Sequence, residues 1–97
     1  MEITWQDIID KTIIVGLTFV DNNNELIKEE LFHGKIVNAD AGKGICLSVD
    51  GKNDTYCIPP DLSSIQIAPP GEYMLKPTGE VIFNPDLLSN WIIKMKI

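Results

Sequence analysis

The chain has 97 residues, 44% of them hydrophobic and 23% charged, enough for one domain that buries roughly 65% of the surface its unfolded form exposes. Fourteen Asp and Glu stand against eight basic residues, every one a lysine, for a formal net charge of −6. This excludes a disordered tail, which is poorer in apolar residues, and argues against nucleic acid and anionic membranes, which need clustered cations.

Thr4 and Asp7 have the spacing of a capping box, with Ile3 and Ile8 placed as a hydrophobic staple. Trp5, Ile8 and Ile9 share one helical face, so residues 4–10 read as a short helix lying on an apolar surface. From Thr12 the period becomes two. Ile13, Val15, Leu17 and Phe19 alternate with Ile14, Gly16, Thr18 and Val20, which predicts a central strand, with Gly16 at a bend or bulge. Asp21 to Asn24 is a turn. Leu26 to Asn38 continues as a second strand, with a bulge expected at Gly34. Leu31 and Phe32 are adjacent there and cannot both face the core.

Ala41 to Gly44 turns the chain into a third strand, with Ile45, Leu47 and Val49 inward. Asp50 to Asp54 is a tight turn, and Gly51-Lys52 suit the centre of a type II′ turn. Thr55 to Ile58 is then a fourth strand, pairing Leu47 with Tyr56 and Cys46 with Cys57. Counted from that turn, Cys46 and Cys57 fall in a hydrogen-bonded pair, where backbones sit farther apart, so two buried free thiols are expected.

Pro59-Pro60 ends the fourth strand, Asp61 to Ser64 suits one 3-10 turn, and Ile65 to Ile67 is a short fifth strand. Tyr73 to Lys76 and Val81 to Asn84 form a hairpin around Pro77-Thr78-Gly79. The expected pairs are Lys76 with Glu80, Leu75 with Val81, and Tyr73 with Phe83. Asn84-Pro85 reads as the start of a helical turn running to Ser89. Trp91, Ile93, Met95 and Ile97 give a last strand with one apolar face.

Five strands in succession, with a 3-10 turn between the fourth and fifth, resemble SH3-like small β-barrels. The fold class expected is therefore mainly β: an SH3-like or related small barrel with a short N-terminal helix and an added C-terminal hairpin and strand, all in one domain, 1–97. The combination Gly16-Leu17-Thr18, His33-Gly34, Pro59-Pro60-Asp61-Leu62, Pro70-Gly71-Glu72-Tyr73, Thr78-Gly79-Glu80, Asn84-Pro85-Asp86 and Trp91 resembles a family of short uncharacterised bacterial proteins. The arginine-free, isoleucine-rich composition agrees with an AT-rich bacterial genome. That resemblance carries no catalytic residue across.

No motif for a nucleotide, a nucleophilic serine or a metal centre is present. Cys46, Cys57 and His33 lack zinc-ligand spacing, and Asp50 to Asp54 lacks the calcium-loop frame. No cofactor and no metal are therefore expected. There is no membrane-length apolar run and no basic leader, and two cysteines suit a reducing compartment, so a cytoplasmic setting is expected. Peptide-binding SH3-like barrels expose aromatics beside acidic loops, which singles out Tyr56 with Asp21, Glu25, His33 and Asp61 as candidate binding residues. The function expected is a non-enzymatic binding module for a protein or peptide with a basic surface, to which a charge of −6 steers it. An immunity-type protein covering a basic toxin is one form of this. The alternative is a small enzyme or small-ligand binder using His33 with a carboxylate. Ile92, Ile93 and Met95 can complete the monomer or pair with a second chain, so a homodimer through the C-terminal strand is open.

Overall fold

The capping box at the N-terminus forms as spelled. Thr4 N donates to Asp7 Oδ2 at 3.0 Å and Asp7 N to Thr4 Oγ1 at 3.3 Å, starting α1 (Trp5–Ile8). The helix is shorter than residues 4–10, because Ile9 is already extended and Asp10 takes a left-handed φ of 68°. Ile8 is fully buried, while Ile3, Trp5 and Ile9 pack on the rim of the core. The computed structural model describes residues 3–49, 54–75 and 78–95.

The period-two runs become β1 (Thr12–Val20), β2 (Leu26–Asp40), β3 (Gly44–Val49), β4 (Thr55–Ile58), β5 (Ile65–Ile67), β6 (Glu72–Leu75), β7 (Glu80–Phe83) and β8 (Leu87–Lys94). A 3-10 turn at Leu62–Ser64 separates β4 from β5. The fold is mainly β. Six strands form one curled, half-barrel sheet in the order β4-β3-β2-β1-β8-β5, and β6 and β7 form a separate hairpin. Ile13, Val15, Leu17, Ile36, Ile45, Leu47 and Ile58 fill the concave side. No helix among the described residues is long and apolar enough to cross a membrane.

The last strand is not an addition to the sheet's margin. β8 runs parallel to β1, Ile13 beside Leu87 through Val20 beside Lys94, and separates β1 from β5. It starts at Leu87, where a helical turn was expected. Asn84 takes a φ of 48° and closes the base of the hairpin instead: Gly71 N donates to its Oδ1 and its own N donates to Gly71 O, both at 2.8 Å. Asp86 then ties β8 to the start of β1, its Oδ2 accepting from Thr12 N and Thr12 Oγ1, each at 3.0 Å.

Both glycines expected at bulges sit in regular pairing. Gly16 faces Leu31, and a Cβ there would come within 2.6 Å of Asn90 Oδ1. Gly34 faces Val49, and its Cβ would lie 2.0 Å from Ser48 O, so glycine lets β3 approach β2. The register shifts fall instead between Phe19 and Val20 and between Ile36 and Asn38.

The hairpin register differs by one residue from the expected one. Glu72 pairs with Phe83, Tyr73 with Ile82, Met74 with Val81 and Leu75 with Glu80. Gly79 N donates to Leu75 O at 2.7 Å, so the loop closes one residue earlier, on Leu75. The expected pairing partner Lys76 and the turn residue Pro77 lie outside the described residues. A one-residue shift exchanges the faces of a strand pair. Here it buries Leu75 and turns Glu80 to the same side, while Met74, Val81 and Phe83 stand exposed.

β3 and β4 pair as expected, Leu47 with Tyr56 and Cys46 with Cys57. The two cysteines are bonded as a disulfide with Cα atoms 4.0 Å apart, not free. The reason is parity. Val49 N donates to Asp54 O, which makes that pair the hydrogen-bonded one. Alternation then puts Cys46 and Cys57 in a non-hydrogen-bonded pair, where the backbones lie close. The turn of the expectation, Asp50 to Asn53, lies outside the described residues.

Candidate functional site

Adjacent residues in a strand point to opposite faces. At the middle of β2 this sends Phe32 to the concave side, against the core, and His33 to the convex side. Each meets a residue from a distant part of the chain, and a cavity lies beside each.

On the concave side the Phe32 ring meets Tyr56 of β4 edge to face, with centroids 4.9 Å apart. Such a contact is the favoured geometry of two ring quadrupoles. Tyr56 stays 40% exposed. A groove of about 360 Å³ runs along this pair, with Val49, Thr55, Glu30 and Asp54 also in its lining. Glu30 is held by an exposed ion pair, its Oε1 3.4 Å from Lys28 Nζ. The same ammonium lies over the Phe19 ring, 4.8 Å from its centroid. The surface therefore already seats one lysine between an aromatic face and a carboxylate. Its exposed ion pair is worth at most about 1 kcal/mol, so an incoming cation can displace it.

On the convex side His33 Nε2 lies 2.9 Å from Glu80 Oε2, with the imidazole largely buried. Glu80 comes from the hairpin, and the register described above is what turns it toward the sheet. A cavity of about 290 Å³ adjoins the pair, with Thr12, Ile82, Phe83 and Pro85 in its walls. The pair joins the hairpin to the main sheet and combines a proton carrier with a carboxylate at hydrogen-bond distance.

A third hollow, about 410 Å³, lies between α1 and the start of β8. Ile3, Ile8, Ile67 and Leu87 line it, with Asp7, Lys11 and Asp86 at its mouth. Both carboxyls are held below the usual range. The Thr4 backbone N–H donates to Asp7 with the Thr4 side chain beside it, and the Thr12 backbone and hydroxyl donate to Asp86. Asp7 closes the cap of α1 and Asp86 ties β8 to β1, so both carboxyls are already engaged.

The five residues singled out by sequence fall in four places. Tyr56 stands in the aromatic groove. His33 is next to Phe32 in sequence but on the other face. Asp21 closes the β1–β2 turn, its Oδ1 accepting from Asn23 N at 2.8 Å and Glu25 N at 3.0 Å. Glu25 is in that same turn, and the strand from Leu26 to Phe32 spans roughly 20 Å, which keeps both away from Tyr56. Asp61 caps the 3-10 turn, accepting from Ser63 N at 3.0 Å. Sequence reasoning passed over Glu30, Phe32 and Asp54, which join Tyr56, and Glu80, which meets His33. Phe32 had a signal in its alternation with Leu31. Asp54 and Glu80 had none, since turns decide where they point. Ser89 was also missed: it is buried, accepts from Trp91 Nε1 at 2.9 Å, and bonds Ser64 Oγ at 3.4 Å.

The disulfide bears on two further readings. It occupies Cys46 and Cys57, so they supply no thiolate ligand beside His33. It also removes the support that free thiols lent to a reducing compartment. Searches with this chain matched no family model, no curated protein and no solved structure.

Proposed function

We propose that the chain is a non-enzymatic binding module whose concave groove takes a lysine or arginine side chain from a basic segment of a protein or peptide partner. One observation carries the reading: one groove is lined by the edge-to-face Phe32–Tyr56 ring pair together with two acidic residues, Glu30 and Asp54. A cation over an aromatic face gains about 0.5–2 kcal/mol, and flanking carboxylates add long-range steering. The internal placement of Lys28 against Phe19 and Glu30 uses the same chemistry. The likeness to SH3-like barrels belongs to this reading, resting on the strand succession with its 3-10 turn, while β8 between β1 and β5 is a departure from it. An immunity-type role toward a basic toxin is the most specific form of the proposal. The test is calorimetric titration with a lysine-rich peptide. Binding that falls about tenfold in Tyr56→Ala and weakens with salt supports the reading. Equal binding by wild type and Tyr56→Ala removes it.

A second reading has its own observation, the His33–Glu80 pair beside a cavity. In it, the pair holds a small polar ligand or moves a proton on one. A fragment screen read out on the His33 ring resonances tests it. Fragments that shift the ring in wild type but not in Glu80→Gln support it, and a screen without such fragments removes it.

A further inference from the structure

The outer margin of β8 is covered over only part of its length. β5 pairs with Leu87, Leu88 and Ser89 and stops there, while β1 follows β8 on the other side to Lys94. Among the described residues, no strand pairs with the outer side of β8 from Asn90 to Lys94. The direction of its backbone groups follows from two bonds. Met95 N donates to Val20 O, so odd-numbered residues of β8 point their N–H and C=O at β1. Ala68 N donates to Asp86 O, so even-numbered residues point outward. Asn90, Ile92 and Lys94 therefore present three N–H and three C=O groups along an open edge, a ready template for another strand. Ile92, at the centre of this segment, is 77% exposed.

We propose that this edge pairs with the same edge of a second copy, antiparallel, about a twofold axis through Ile92. The segment is its own complement in that register. Ile92 faces Ile92 of the second copy, in a hydrogen-bonded pair that shares both backbone bonds on the axis. Lys94 faces Asn90 of the second copy and Asn90 faces its Lys94, so no like charges meet. On the other face, Trp91 lies opposite Ile93 of the second copy, an aromatic and β-branched pair of the kind that stabilises sheets. Every outward backbone group from Asn90 to Lys94 gains a partner. The ladder ends where β5 begins, since β5 occupies the edge at Ser89, and this limits the contact to five residues in each copy. So short a ladder makes a weak dimer. The overall charge of −6 opposes association, but the paired segment itself carries only Lys94 as a charged residue.

Sedimentation equilibrium of the wild-type chain across the micromolar range is the test, paired with amide exchange at low and high concentration. A monomer–dimer equilibrium is expected, with amides of Asn90, Ile92 and Lys94 slowing as concentration rises. Those of Trp91 and Ile93, already bonded to β1, stay slow throughout. Ile92→Lys places two ammonium groups together on the axis, at a site exposed enough to leave the monomer folded. It is expected to weaken association by about tenfold or more. A chain that stays monomeric overturns the proposal. So do growth beyond a dimer and a dimer that Ile92→Lys leaves intact.

Discussion

His33, in the middle of β2, meets Glu80, at the start of β7, with 2.9 Å between Nε2 and Oε2. The contact links the six-stranded sheet to the hairpin. It depends on the Leu75–Glu80 pairing of the hairpin, because the neighbouring register would turn the carboxylate to solvent.

Glu80→Gln keeps the shape of the side chain and removes its charge. With Glu80 half exposed, the stability change is expected to be about 0.5–1 kcal/mol or less. Amide exchange across β6 and β7 is expected to quicken while β1 and β3 are unaffected. Uniform quickening in all strands would show that the hairpin does not open on its own.

The disulfide closes a loop with a sequence separation of 11 between Cys46 and Cys57. Loop-closure entropy for such a length is about 3 kcal/mol. Urea unfolding of the Cys46→Ala, Cys57→Ala double variant is expected to show a loss of that order, and added reductant should lower wild type to a similar level. No change in either experiment would mean that the bond does not constrain the unfolded chain.

Gly34→Ala is expected to cost more than about 3 kcal/mol or to prevent folding, because its Cβ would lie 2.0 Å from backbone Ser48 O, and a backbone cannot rotate away as a side chain can. Gly42→Ala is the control. Its Cβ meets only Asp40 Oδ1, at 3.4 Å, and it should melt within about 0.5 kcal/mol of wild type. Equal melting of the two variants would contradict the close approach of β3 to β2.

Acid sensitivity follows from Asp86. Thr12 donates to the ionised carboxyl from its backbone and hydroxyl, which holds the folded-state value below the ordinary 3.8. A depressed carboxyl contributes stability that is present above its unfolded value and lost as pH falls through the folded one. Stability should therefore fall below about pH 4. Asp86→Asn should flatten that fall and lower stability at neutral pH. Identical pH profiles would show that the Thr12 bonds are equally good to a neutral acceptor.

The local spelling of this chain was legible where one segment decides its own structure. The Thr4–Asp7 capping box, the Asp61-capped turn and the limits of β4 and β5 all depend on neighbours in sequence. The register of Cys46 with Cys57 was legible too, but not its bonding, because the hydrogen-bond parity is set by turn geometry. β8 was placed as a strand from its alternation at Trp91, Ile93 and Met95. Its insertion beside β1 was not legible, since parallel pairing leaves no mark on a short apolar run. The site suffered most. Tyr56 was singled out by analogy with peptide-binding barrels, but its partner Phe32 and the neighbouring Glu30 and Asp54 are assembled by β2, β3 and β4 together. Asp21 and Asp61 are acids of the same kind whose oxygens are taken up by their own turns.

Acceptance of a cationic side chain by the groove beside Tyr56 is open to direct test. The most direct measurement is a backbone and side-chain NMR titration of the ¹⁵N,¹³C-labelled chain with a lysine-rich peptide, beside a glutamate-rich peptide of the same length. Saturable shifts with the lysine peptide are expected at Glu30, Phe32, Asp54 and Tyr56, with displacement of the Lys28–Glu30 pair and no shifts with the glutamate peptide. Shifts spread evenly over the acidic surface, or confined to residues away from Phe32 and Tyr56, would contradict it.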